Sequence, residues 1–171
     1  VEQIETLAAD SGLPACIPPD RRGSRQPHAG FWRNAVLRLH WTEPQAPRPD
    51  DAAAYADETR WRAALLLLTS PGDPAQRRSV RRIAETLLRD ADCLTHIVHE
   101  ERAAHDGQVR GERRILTLSN LPEKNDSPLL RLPLLGQCLE LDIASFFQVN
   151  TAAAQLLAGL AVHAVRGTLP A

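Results

Sequence analysis

Apolar residues recur along most of this chain at spacings of three and four, which is the period of an amphipathic helix. Strict alternation of apolar and polar residues, which marks a half-buried strand, is almost absent. The segments between the proline-rich stretches are also rich in Ala, Leu, Arg and Glu, and this composition favours helix. The pattern therefore predicts an all-α protein, folded as a compact helical bundle.

Start and stop signals place the predicted helices. Asp73-Pro74 is an N-cap followed by proline at the first helical position, and the helix it opens carries Val80, Ile83 and Leu87 on its inner side. Thr151 caps a last helix that ends near Gly167. The other helices are predicted from Ala29 to about His40, from about Asp51 to Leu68, from roughly Asp92 to His105, from Glu112 to Leu118, from Ser127-Pro128 onward and from Asp142 onward.

The length suits one hydrophobic core. At 171 residues and 18.8 kDa, the chain is predicted to form a single domain over 1–171, as one bundle or as two small helical lobes of about 1–106 and 107–171. Pro133 is a misfit in this scheme, because it falls inside Leu129–Leu139, where the pattern favours continuous helix. A helix there must kink at Pro133 or begin after it.

Charge excludes one class of function. The chain has 20 basic residues, of which only Lys124 is a lysine, against 21 acidic ones, and its net charge is -1. With a pI near 6.6 the protein is not a uniformly basic nucleic-acid binder. Binding to a polyanion would require arginines that the fold gathers on one face.

Cysteine spacing and apolar run lengths indicate the compartment. Cys16, Cys93 and Cys138 are far apart and form no C-x-x-C pair, so we expect free thiols in a reducing environment. No secretion signal is recognised. The longest apolar stretches, Ala63–Leu68 and Ala152–Val165, are shorter than the roughly 20 residues of a membrane span. A cytoplasmic protein without membrane contact is therefore expected.

A histidine cluster raises the possibility of a metal site. His96, His99 and His105 lie close to Glu100 and Glu101. Their order is H-x-x-H-E, which matches neither the H-E-x-x-H of zincins nor its inverted form. Ordinary histidines on a polar helix are the favoured interpretation, and a small metal-dependent hydrolase is a minor alternative.

Other catalytic motifs are missing from the sequence. It contains no G-x-S-x-G, no Walker-type loop and no G-x-G-x-x-G. A nucleophilic Cys93 or Cys138 would need a nearby histidine and a lowered pKa, which nothing in the sequence indicates. The sequence therefore predicts no catalytic residue, no metal site, no cofactor and no enzymatic activity.

A run of arginines is the most informative feature. Four of them follow a spacing of i, i+1, i+4 and i+5, which collects them along one side of the helix that begins at Pro74. Their mutual repulsion would be relieved either by a polyanion or by acids such as Glu85 and Asp90, and both interpretations stay open. The four are Arg77, Arg78, Arg81 and Arg82, and a second group in a proline-rich loop comprises Arg21, Arg22 and Arg25.

An ordered set of short motifs resembles a known family. Gly111-Glu112-Arg113-Arg114-Ile115, Leu130-Arg131, Leu141-Asp142-Ile143 and Phe146-Phe147 follow one another, preceded by Phe31-Trp32-Arg33 and by Arg60-Trp61 with Ala63–Leu68. Together they resemble the small subunit of the CRISPR type I-E Cascade complex, the CasB family, over most of residues 20–150. The sequence departs from that family at Pro133 and over Leu94–Asp106.

The resemblance implies a function. It implies a non-catalytic, all-helical subunit of an RNA-guided antiviral surveillance complex, which contacts the large subunit, the backbone subunits and a second copy of itself. Such a subunit holds the guide RNA–target DNA heteroduplex and the displaced strand of the R-loop without reading sequence. A helical protein-interaction scaffold without nucleic-acid contact is the alternative. The resemblance adds Arg113, Arg114 and Arg131 to the binding residues, although one of the first two is alternatively a buried partner of Glu112 or Glu140.

Overall fold

The described residues of this protein form six strands as well as four α-helices, so the all-α prediction, as a bundle or as helical lobes, is wrong. A computed structural model describes residues 2–16, 30–104, 108–121, 129–145 and 151–168. The elements are α1 (Glu2–Asp10), β1 (Trp32–Trp41), α2 (Ala52–Ala56), a 3-10 turn (Glu58–Arg60), β2 (Trp61–Thr69), α3 (Pro74–Asp90), β3 (Leu94–Glu101), β4 (Arg113–Ser119), β5 (Leu129–Leu134), β6 (Gln137–Asp142) and α4 (Thr151–Thr168).

Four strands form the main sheet in the order β1-β2-β3-β4. Strands β2 and β3 are parallel, as the intervening α3 requires, while β1 and β4 run antiparallel to their neighbours at the two edges. Strands β5 and β6 form a separate antiparallel hairpin. Its two-residue turn has Leu135 at φ 51° and Gly136 at φ 74°, the left-handed backbone that suits a tight hairpin.

The two central strands of the main sheet, β2 and β3, are covered on both faces. Helix α3 packs on one face and the β5–β6 hairpin on the other, so β2 and β3 are buried on both sides. The cluster under α3 includes Leu65, Leu67, Val80, Ile83, Leu87 and Ile97, and the cluster under the hairpin comprises Ala64, Leu66, Val98, Leu130 and Ile143.

Burial of β2 on both faces explains why the sequence pattern wrongly predicts a helix there. A helix was expected from about Asp51 to Leu68, but only α2 and the 3-10 turn are helical there. The continuous apolar run of β2 shows no alternation, because both faces of the strand need apolar side chains. Helix propensity of Ala and Leu is a weak preference that packing of the sheet overrides.

The other misplaced helices are also strands. The helix expected from Ala29 to about His40 is β1, the one from roughly Asp92 to His105 is β3, and the one from Glu112 to Leu118 is β4. In the segment expected to be helical from Ser127-Pro128 onward, those two residues lie outside the described ones and the residues after them form β5. In the helix expected from Asp142 onward, residues 143–145 form a turn, and residues 146–150 lie outside the described ones. Pro133 pairs with Cys138 in the hairpin, so no helix kinks there.

Two predicted helices are confirmed. Helix α3 begins at Pro74 directly after Asp73, and α4 runs from Thr151 to Thr168. Val80, Ile83 and Leu87 are the buried side of α3, as the spacing predicts. Among the described residues, none of the helices combines the length and the apolar content that crossing a bilayer requires.

Candidate polyanion-binding surface

Helix α3 carries the candidate site, and its first turn is held by a capping box. The Asp73 carboxylate accepts a hydrogen bond from the Gln76 backbone N–H at 2.8 Å, and the Gln76 side-chain oxygen accepts one from the Asp73 N–H at 2.9 Å. Pro74 supplies a backbone angle suited to the first helical position. The apolar side of the helix packs against the sheet, so its polar side faces outward.

The four clustered arginines in the first half of α3 do not share one environment. Arg77 turns toward the sheet and binds Glu101 through two hydrogen bonds, of 2.8 and 3.0 Å. Arg81 pairs with Glu85 one turn away at 2.8 Å. Arg78 and Arg82 are exposed, and neither has a carboxylate partner in the part of the chain that the structure describes.

Glu101 is the buried counter-ion of this region. Its side chain is 2% exposed and accepts hydrogen bonds from Arg77, from Arg113 at 2.7 Å and from the Gly72 backbone N–H at 3.1 Å. Burial alone would raise the pKa of Glu101, but these bonds outweigh it and lower the pKa to about 2. Arg77 is therefore engaged within the protein and is not free to bind a phosphate.

A second ion-pair network lies on the hairpin face of β3. Arg114 donates to Glu100 at 3.0 Å and to both carboxylate oxygens of Asp142 at 2.8 Å, which joins β4, β3 and the end of β6. The Gly111 backbone N–H also donates to Glu100 at 2.8 Å. A Cβ at position 111 would clash with the Glu100 Cβ, so the loop needs glycine to approach the strand this closely.

The other arginines predicted to bind nucleic acid also differ in how they are paired. Arg113 is 60% exposed but binds the buried Glu101, so its guanidinium is partly committed. Arg131 faces Glu140 across the hairpin at 3.4 Å, and both side chains are partly exposed. The proline-rich group of Arg21, Arg22 and Arg25 lies outside the described residues.

The histidine cluster is split between the two faces of β3. Within a strand, residues three apart point to opposite faces. His99 accordingly contacts Thr69 on the α3 face, with 2.9 Å between its Nε2 and the hydroxyl, while His96 contacts His40 on the hairpin face. These two histidines cannot share a metal, and in the described chain no group of three or more ligand-type side chains could hold one. His105 lies outside the described residues.

Burial keeps these imidazoles neutral. It lowers the pKa of His96 to about 4, and neighbouring His40 adds to the effect. It also lowers the pKa of His99 to about 4, against the opposing attraction of Glu101. The Thr95 hydroxyl lies 2.7 Å from a ring nitrogen of both His40 and His96, so the hairpin-face pair is held by hydrogen bonds.

Sequence reasoning missed the roles of Glu100 and Glu101. The sequence pattern places them only next to a possible metal site. In the structure, both are buried counter-ions of arginines on other elements. A signal was present, because the apolar run of β3 ends in these two acids. In an α/β fold, the end of a parallel strand is where polar groups converge.

A comparison with protein-family models and with curated proteins finds no match to this chain.

Proposed function

We propose that this domain binds polynucleotide backbones without catalysis and without reading base sequence, through the outer face of α3. The observation that supports the proposal is the pair Arg78 and Arg82. Both are exposed, lie one helical turn apart, and have no carboxylate partner among the described residues. Guanidinium groups in this arrangement match adjacent phosphate oxygens.

Arg81 adds a third cation to the same face. Its partner Glu85 is as exposed as Arg81 itself, at 52% and 59%. An exposed pair at this spacing contributes only about 0.3–0.5 kcal/mol, so a phosphate can replace the carboxylate at small cost. Arg77 does not belong to the binding face, because the buried Glu101 holds it. The four arginines of the sequence pattern thus reduce to three.

The chemistry of the face explains the absence of sequence reading. Its outward side chains over the middle of α3 are arginines and one glutamate, with no amide or aromatic group to recognise or stack on a base. Contacts to phosphate position a protein on a polynucleotide but carry no sequence information. Affinity should therefore depend on salt and be indifferent to base composition.

The test is a salt titration of binding to duplex DNA of random sequence. Each phosphate contact contributes roughly 0.9 to the slope of log K against log salt, so the double variant R78Q/R82Q should flatten the slope by about 1.8. The matched control is R48Q/R166Q, which removes the same charge from two exposed arginines outside α3. Its slope should equal that of the wild type.

The same titration can contradict the proposal. If R78Q/R82Q and R48Q/R166Q change the slope equally, binding follows net charge alone. If wild-type protein does not bind DNA at low salt, the outer face of α3 is not a polyanion site.

A protein-interaction scaffold is the second candidate, and α4 favours it. This helix leaves Leu156, Leu157 and Leu160 between 58% and 69% exposed. Large apolar side chains grouped in this way mark interaction surfaces. Under this alternative the arginines pair with acids of neighbouring proteins, and the wild-type chain gives no salt-dependent DNA binding.

A role in a guide-RNA complex stays a prediction from the sequence resemblance. The all-helical architecture that the resemblance implies is wrong, and the residues of its motifs at Arg113-Arg114 and Leu130-Arg131 lie on strands. We therefore propose only the coarser function of backbone binding. Copurification with a short guide RNA and with a large subunit would test the finer one.

A further inference from the structure

Along the outer edge of β1, several backbone groups have no hydrogen-bond partner among the residues that the structure describes. The Thr42 N–H donates to the Arg60 carbonyl at 3.0 Å, so the backbone groups of Thr42 point toward β2. In this antiparallel pair, the N–H and C=O groups of every second residue before Thr42 point the same way. The residues between them, Ala35, Leu37 and Leu39, direct their N–H and C=O groups outward. In the described ranges, none of these six groups has a hydrogen-bond partner.

The side chains of the same residues are exposed as well. Leu37 is 48% and Leu39 is 59% exposed, and they share the face of the sheet on which α3 packs. Helix α3 covers β2 and β3 and leaves this part of β1 open. Natural proteins rarely leave a long apolar edge strand uncovered, because it pairs readily with another strand. These backbone and side-chain groups are the ones that a further strand would need in order to pair here.

We propose that a second copy of this chain occupies the edge, with the two β1 strands antiparallel about a two-fold axis at Leu37. In that register Leu37 of one copy lies opposite Leu37 of the other, and Ala35 lies opposite Leu39. The outward-pointing groups of each copy then face those of the other, which forms six hydrogen bonds. The two four-stranded sheets join into one eight-stranded sheet.

Side-chain chemistry favours the same register. Leu39 of one copy packs beside Ala35 of the other, and both exposed leucines become cross-strand neighbours. On the opposite face Arg38 meets Val36, so no like charges lie directly across from each other. If the register between the two β1 strands shifted by one residue, the outward-pointing groups of one copy would face residues whose backbone groups already bond to β2 of the other copy. The hydrogen bonds between the copies would then be lost.

The protein also limits how far a second strand can extend. The Cys16 N–H donates to the Trp32 carbonyl at 2.6 Å, and the Trp32 N–H donates to the Pro14 carbonyl at 3.1 Å. This segment already occupies the edge at Trp32. A strand of a second copy therefore pairs only beyond it, over residues 34–40, which is the stretch centred on Leu37.

The first test is the mass of the protein in solution as a function of concentration. Wild-type chain should shift from one to two chains in sedimentation equilibrium as its concentration rises, and L37P should stay at one. Proline is tolerated on an edge strand where the N–H faces solvent, so L37P removes the central donor without removing a bond within the fold. The variant L160Q changes a leucine of the alternative interaction surface on α4, so it tells the two surfaces apart, and it should still dimerise if β1 is the interface.

The second test uses the wild-type chain and does not depend on folding of the variant. Hydrogen exchange at the amides of Ala35, Leu37 and Leu39 should slow as concentration rises, while exchange at Val36 and Arg38 stays unchanged. A monomer at all concentrations would overturn the proposal. A dimer that L160Q abolishes, or one in which the three amides still exchange rapidly, would also overturn it. None of these three outcomes bears on the arginines of α3, so this inference and the proposed function fail separately.

Discussion

The structural role of Glu101 differs from the role that its place in the sequence suggests. In the sequence it is one of two acids beside a histidine, on a segment that the pattern predicts to be helical. In the folded chain it is buried at the end of β3, where arginines from α3 and β4 converge on it. A buried carboxylate needs such partners, because an unpaired charge in the interior is strongly unfavourable.

Replacing Glu101 with Gln should destabilise the protein by about 2 kcal/mol, since hydrogen bonds to a charged group contribute about 1.5–3 kcal/mol. The measurement is urea unfolding at neutral pH. The control E85Q removes an exposed partner of Arg81 and should cost no more than about 0.5 kcal/mol. Equal losses in the two variants would contradict the assignment of Glu101 as a buried counter-ion.

At the scale of elements, local signals decided the helices and tertiary burial decided the strands. Helix α3 could be located because Asp73, Pro74 and the apolar spacing after them all lie close in sequence. Strand β2 could not, because its residues are apolar on both faces and match the composition of a helix. Strand β1 was hidden for another reason, since its exposed face carries leucines where polar residues normally reveal alternation.

The cap of α3 gives a prediction at this scale. Replacing Asp73 with Ala should destabilise the protein by about 1 kcal/mol, because it leaves the Gln76 N–H without its acceptor. Replacing Asp73 with Ser keeps an acceptor and should cost much less. Chemical unfolding of both variants checks the difference, and identical stabilities would contradict a role for the cap.

At the scale of the whole molecule, buried ionisable groups make the fold sensitive to acid. His96 and His99 titrate near 6.5 when unfolded, and burial lowers their pKa to about 4 in the folded chain. Between these values the unfolded state binds more protons, so stability falls as the pH falls. The pKa of Glu101, lowered from 4.5 to about 2, extends the loss to lower pH in the same direction.

Unfolding free energy should therefore decline from about pH 6.5 to pH 4, by up to about 1.4 kcal/mol per pH unit for each histidine. Urea midpoints measured across this range give the slope. The variant H99Q should show a shallower decline, because one of the buried titrating groups is gone. A wild-type profile that is flat above pH 4.5 would contradict neutral burial of these histidines.

The candidate site was predictable in part. The apolar inner side of α3 follows from spacing along a few turns and is confirmed, whereas of the four predicted arginines only Arg78, Arg81 and Arg82 lie on the outer face. Which arginines are free was not predictable, because the partner of Arg77 lies 24 residues away and Arg114 joins residues 14 and 28 positions distant. Ion pairs between elements depend on how the strands align, and no local pattern encodes that alignment.

The sequence by itself determined the helices that carry their own start signals, the predominance of arginine among the basic residues and the outward placement of Arg78, Arg81 and Arg82 on α3. Each of these depends on residues within a few turns of one another. Only the tertiary structure decided that the central segments are strands, that Glu101 binds Arg77 and that backbone groups along the outer edge of β1 have no partner in the part of the chain that the structure describes. These depend on burial and on pairing between distant residues, since a segment becomes a buried strand only when other elements cover it.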